Sequence, residues 1–86
     1  MEGKIDIGLR NLGTVNKNLV TVSTPNGMAR LYFSYSTLVA VDNAVSKNEW
    51  SKTTGKLLNE LEPDKKRRIP HSMVMELAQD KLKRIL

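Results

Sequence analysis

The sequence predicts an α+β fold: a small antiparallel sheet of three to five strands followed by two α-helices packed on one face of it. Three observations predict it. The apolar residues of the first two thirds recur with period two, as strand side chains alternate between faces. The tripeptide Pro25-Asn26-Gly27 then sits between two such runs, supplying a fixed φ followed by residues that tolerate positive φ, which is a hairpin signal. From Ser51 onward the period changes to that of a helix and stays there to the C-terminus. Strands first and helices after them favour an antiparallel sheet with segregated helices.

The elements follow in order. In residues 4–9, Ile5, Ile7 and Leu9 alternate with Lys4, Asp6 and Gly8, which suits a strand, and a loop over 10–16 carries Gly13 and two asparagines. Residues 18–24 are rich in β-branched types and form the outgoing arm of the hairpin. The return arm, 28–35, places Leu31, Phe33 and Tyr35 on one face and Arg30, Tyr32 and Ser34 on the other. Another strand, 37–41, follows almost at once, so Tyr35-Ser36 reads as a bend or a bulge in one long strand. Asp42-Asn43 turns the chain into a short segment, 44–46.

The first helix has Ser51 as a reasonable N-cap, gathers Thr54, Leu57, Leu58 and Leu61 on one side, and stops at Glu62-Pro63. Gly55 weakens it by about 1 kcal/mol relative to alanine, so the helix should depend on packing. The second starts at Pro70, a favoured first-turn residue, and repeats Met73, Val74, Leu77, Ala78, Leu82 and Ile85 at helical spacing. Its Lys81, Lys83 and Arg84 lie toward the C-terminal end, matching the helix dipole. Met73 and Leu77 are expected to cover Leu31, Phe33 and Val39.

Composition sets the limits. The 86 residues (9.7 kDa) are 40% apolar and 27% charged, with 14 Lys plus Arg against 9 Asp plus Glu and a net charge of +5. A chain of this size buries only about 60% of the surface its unfolded state exposes, so residues 1–86 are expected to form a single domain around one core, without a large catalytic cleft. Cysteine is absent, which removes disulfides and thiolate metal sites. Self-association is then the remaining source of buried area, and a homo-oligomer is expected. Charges interrupt the apolar residues near the N-terminus, and the longest apolar run, 38–41, is far below the ~20 residues that span a bilayer. A cytoplasmic protein that does not engage a membrane is expected.

Several residues carry candidate chemistry. Thr53-Thr54-Gly55-Lys56 resembles part of a phosphate loop, but Trp50 stands where the first glycine belongs and Leu57 where a Ser or Thr should follow the lysine. Lys52, Thr53, Thr54 and Lys56 could still hold an anion at a helix start, against the plainer reading of a capped first turn. Lys65, Lys66, Arg67 and Arg68 form a basic block able to attract phosphates, or else a solvated loop. Trp50 is read either as closing the core from the edge, with its indole N–H partnered, or, with Tyr32, as a stacking or interface residue. His71, the one histidine, lacks a paired nucleophile and carboxylate and is read as structural. No metal or cofactor is expected. The helices are too far apart for a helix-turn-helix, and a ribbon-helix-helix reading with 37–41 as the DNA-reading strand is opposed by apolar Leu38 and Val41.

Three strings occur in order: L-Y-F-S-Y-S-T-L-V-A at 31–40, N-E-W-S-K-T-T-G-K-L-L-N at 48–59 and E-P-D-K-K-R-R-I-P-H at 62–71. Together they resemble a group of small uncharacterised proteins of bacteriophages and other mobile elements, which share an aromatic strand and W-S-x-T-T-G-K and R-x-P-H segments. The resemblance covers roughly residues 18–71. It implies a mobile-element origin and a fold but no reaction, and the group's frequent histidine is replaced here by Leu57 or Leu58.

The functional expectation is a non-enzymatic viral or mobile-element accessory protein in the host cytoplasm. It would bind nucleic acid or a nucleotide-like, phosphate-bearing anion through Lys52, Thr53, Thr54, Lys56, Lys65, Lys66, Arg67 and Arg68, with Trp50 or Tyr32 stacking. The alternative is a protein-interaction module that inhibits or redirects a host complex through the outer sheet face or a sheet edge. A minor enzyme is a third reading, for which no catalytic constellation can be assembled.

Overall fold

A computed structural model describes residues 4–13, 16–50 and 52–86, and of Thr53 only the backbone. The expected class holds. Five strands, β1 (Asp6–Asn11), β2 (Lys17–Thr24), β3 (Gly27–Ser34), β4 (Thr37–Val41) and β5 (Ala44–Val45), form one antiparallel sheet in sequence order. Helix α1 (Lys52–Leu61), a 3-10 turn (Lys65–Arg67) and helix α2 (His71–Ile85) follow. Ser51, expected as the α1 N-cap, lies outside the described residues. Helix α2 begins one residue later than expected, at His71, with Pro70 as its N-cap and not in its first turn.

The turns explain the strand boundaries. In the β2–β3 hairpin the Asn26 N–H donates to Thr24 Oγ1 (3.0 Å), and Gly27 adopts φ +145°, a value that L side chains rarely adopt. Tyr35-Ser36 is neither a bend nor a bulge within one strand. It is a chain reversal between β3 and β4, with Tyr35 at φ +56° and its N–H donating to the Asn16 carbonyl at 2.6 Å. The register irregularity falls earlier, between Tyr32 and Phe33. Asp42 (φ +51°) makes the next turn, accepting the Arg30 N–H at Oδ1 and lying 3.5 Å from Lys81 Nζ.

The register assigns the sheet two faces and gives each its own core. Leu31 opposes Val41 and Val22 opposes Ala29; these side chains pack with Val74, Ala78 and Ile85 of α2. Tyr32 opposes Ala40, which opposes Val45; this alternate set packs with Leu57 and Leu58 of α1. Residues directly opposite share a face and neighbours along a strand do not. The two helices therefore lie on opposite sides of the sheet, α2 on the face expected for both and α1 on the other. Ser34 confirms the placement, its Oγ lying 2.8 Å from Thr54 Oγ1 inside the α1 side.

The α2 stripe is also turned from the expected setting. Val74, Ala78 and Ile85 are buried, whereas Met73 and Leu77 are exposed, and Val39 joins the α1 core instead. Val74, Ala78 and Ile85 follow one another at i+4 and i+7, so they form one stripe along the helix, and Met73 and Leu77 lie to one side of it. The Thr24 hydroxyl fixes its C-terminal end by donating to the Ile85 carbonyl.

The sheet has unequal edges. Beyond β5, Ser46 forms a parallel bridge with Ile69; the Ile69 N–H donates to the Val45 carbonyl at 2.9 Å and the Lys47 N–H to the Ile69 carbonyl at 2.8 Å. At the other edge, among the described residues, β1 pairs only with β2, and all six of its residues are exposed. β4 is paired on both sides, which removes it as a free DNA-reading ribbon. No helix among the described residues is long and apolar enough to cross a membrane.

Leu58 is fully buried and Met73 is half exposed. Leu58→Ala is therefore expected to lower stability by about 2–5 kcal/mol, and Met73→Ala by less than about 1 kcal/mol. Urea unfolding followed by circular dichroism compares them, and similar losses would contradict the assigned α2 face.

Candidate anion-binding cleft

The parallel bridge holds residue 47 beside residue 69, so the segment leaving β5 runs next to the segment entering α2. Helix α1 closes the third side. Lys47 and Asn48 from the first segment, Gly55 and Asn59 from α1, and Lys65 and Arg68 from the connection between the helices line an open cleft of about 390 Å³. Three cationic side chains and two amides thus face one space, with no carboxylate among the described lining residues. Gly55 lets the Asn48 amide approach this wall closely: a Cβ there would lie 2.8 Å from Asn48 Nδ2, so the amide would have to swing aside.

The basic block is divided by its own local structure. Asp64 caps the 3-10 turn by accepting the Lys66 N–H at Oδ1 (3.0 Å), and its other oxygen lies 3.8 Å from Arg67 Nε. In so tight a turn successive side chains point in different directions. Lys65 faces the cleft, Lys66 projects into solvent, and Arg67 turns to a separate cleft of about 550 Å³ bordered by Tyr32, Asp42 and Glu62. Arg68 is only 6% exposed; its Nε donates to the Glu62 carbonyl (3.0 Å) and its Nη2 to Asn59 Oδ1. A planar guanidinium can satisfy the end of α1 in this way and still line the cleft.

The other expected residues separate further. The Thr54 hydroxyl is buried against Ser34, so it is turned to the core and not to an anion at the helix start. The Thr53 side chain lies outside the described residues. Lys52 and Lys56 are exposed, and at i, i+3 and i+4 spacing they share a helix flank with Gly55 and Asn59. They border the cleft without lining it.

The aromatics do not meet. Trp50 belongs to neither core cluster and is 39% exposed, so it does not close the core as expected. Its ring stands edge-on to His71 at 5.0 Å between centroids. His71 is tied into the fold: its Nε2 lies 2.9 Å from the Leu38 carbonyl and its backbone N–H donates to Glu49 Oε2 at 3.0 Å. Tyr32 packs on the α1 side of the sheet. Among the described residues no three potential metal-ligating side chains gather.

Lys47, Asn48 and Asn59 escaped sequence reasoning. Lys47 and Asn48 follow the short 44–46 segment and belong to no motif, and Asn59 is a surface helix residue until Arg68 docks on it. No signal in the sequence marks them, because the burial of Arg68 that draws Asn59 to the cleft is itself a tertiary contact.

Arg68→Ala leaves the Glu62 carbonyl and Asn59 without their donor. It is expected to cost about 1–3 kcal/mol, while Lys66→Ala changes stability by less than about 0.5 kcal/mol. Thermal unfolding of both variants separates a structural arginine from a solvated lysine.

A family model described as a family of unknown function (DUF8033) matches residues 6–75, most of the chain, and the protein belongs to that family. No curated protein and no solved structure matches it.

Proposed function

We propose that this member of a family without an assigned activity is a non-enzymatic accessory protein of viral or mobile-element origin that binds phosphate-bearing anions, nucleic acid foremost, acting as a homo-oligomer in the host cytoplasm. One observation carries the reading: Lys47, Lys65 and Arg68 line a single cleft with Asn48 and Asn59, and no carboxylate lines it among the described residues. Lysine ammoniums attract phosphate as point charges, the guanidinium offers directed donors, and the amides add hydrogen bonds that hold register. Lys52 and Lys56 continue the positive strip along α1. The net charge of +5 supports encounter with a polyanion.

The expected binding is salt-sensitive and weakly dependent on sequence, with affinity falling steeply between about 50 and 200 mM salt. Fluorescence anisotropy with labelled single-stranded DNA, duplex DNA and RNA measures it. The double variant Lys47→Glu/Lys65→Glu should lose most of the affinity, whereas Lys83→Glu/Arg84→Glu, on α2, should retain it. Absence of binding at low salt, or equal losses in both variants, removes the reading.

A second reading rests on a different surface. On the sheet face that α1 leaves uncovered, Arg10, Leu19, Thr21, Met28, Arg30 and Tyr32 border a shallow cleft of about 490 Å³. Apolar side chains flanked by two arginines suit an acidic host protein. Capture of one specific protein from nuclease-treated lysate, lost on Arg30→Glu, would favour it over the nucleic-acid reading.

A further inference from the structure

We infer that β1 is a dimerisation strand: two copies of this chain pair their β1 edges antiparallel about a two-fold axis at Gly8, joining two sheets into one. This gives the proposed homo-oligomer a geometry, yet it stands apart from the anion reading, because a dimer that binds nothing and a monomer that binds nucleic acid are separate outcomes.

The edges of the sheet point to it first. The β5 edge is covered by the Ile69 segment, whereas no described residue pairs with the outer side of β1. An open edge presents unpaired backbone donors and acceptors, and proteins ordinarily protect such an edge with inward charges, proline or a bulge. β1 has no proline, keeps regular register with β2 throughout, and carries two charges of opposite sign, Asp6 and Arg10, which do not repel a second copy.

Its side chains are those of an interface. Ile7 and Leu9 are 71% and 73% exposed, with Ile5 beside them. Ile7 opposes Val22 and Leu9 opposes Val20, so the row continues the α2 face of the sheet beyond the reach of that helix. Leaving such a row in water is unfavourable, and a second copy removes it from water with an identical row.

The pattern of charge selects the partner and the register. With the two-fold at Gly8, Asp6 of each copy stands opposite Arg10 of the other, on the face away from α2. Ile7 stands opposite Leu9 on the α2 face. Asp6, Ile7, Leu9 and Arg10 thus each meet a complement from an identical strand, which is the requirement of an isologous interface. Sliding one copy by two residues sets Lys4 opposite Arg10 in one direction and removes the Asp6 partner in the other. A six-residue strand is at the small end of specific interfaces, so the dimer should dissociate in the micromolar range.

Sedimentation velocity over about 5–500 μM tests it, with far-UV circular dichroism checking that each variant folds; Asp6 and Arg10 are exposed, so the fold should survive. The wild-type chain is expected to reach twice its 9.7 kDa mass. Asp6→Arg alone and Arg10→Asp alone each set like charges opposite, raising the dissociation constant about tenfold or more. An equimolar mixture of the two variants restores complementary pairs and should dimerise as the wild type does. Leu9→Lys should be monomeric throughout. A wild-type chain that stays monomeric to the highest concentration, single variants that dimerise unchanged, or a mixture that fails to recover would overturn the inference.

Discussion

The pair of hydrogen bonds that ties Ile69 to β5 governs the rest of the architecture. By accepting from Lys47 and donating to Val45, Ile69 holds the connection between the helices against the last strand. That connection can then cross from one side of the sheet to the other at the edge, which lets α1 and α2 cover opposite faces. The same two bonds close the β5 edge and set Lys47 and Asn48 beside Arg68. The cleft, the division into two cores and the contrast between the sheet edges share this one origin.

Two small cores in place of one have an energetic consequence. Neither face of the sheet is fully covered: α2 leaves the β1 row exposed, and α1 leaves the surface around Tyr32 and Arg30 open. For a chain of this size such incomplete coverage costs apolar burial that one-sided packing would have concentrated. The buried Ser34–Thr54 pair and the Arg68 contacts then matter more than hydrogen bonds usually do, since they anchor α1, a helix with a glycine in its second turn.

The basic block shows why a run of like charges in a sequence is a poor guide to a surface. Asp64 draws the block into a 3-10 turn, and burial then removes Arg68 from the run. Only Lys65 and Arg68 meet, and the cation that joins them, Lys47, comes from a segment eighteen positions upstream of Lys65. Proximity in the chain gave two of the cleft's three cations. Its two asparagines and the remaining lysine depend on contacts made by strand pairing.

Period-two alternation, the Pro-Asn-Gly hairpin and the two helical repeats were enough to determine the class, the strand and helix order, and most element ends to within two residues, because steric preference and side-chain alternation act over a few neighbours. The side of the sheet each helix takes, the reversal at Tyr35 and the membership of the cleft were decided by tertiary structure. An amphipathic helix carries a stripe that must be buried but no information about which face will bury it. Tyr35 adopts a positive φ that its residue type does not announce, held by the strands on either side. A parallel bridge between residues 46 and 69 is a long-range choice, made only when the whole sheet is assembled.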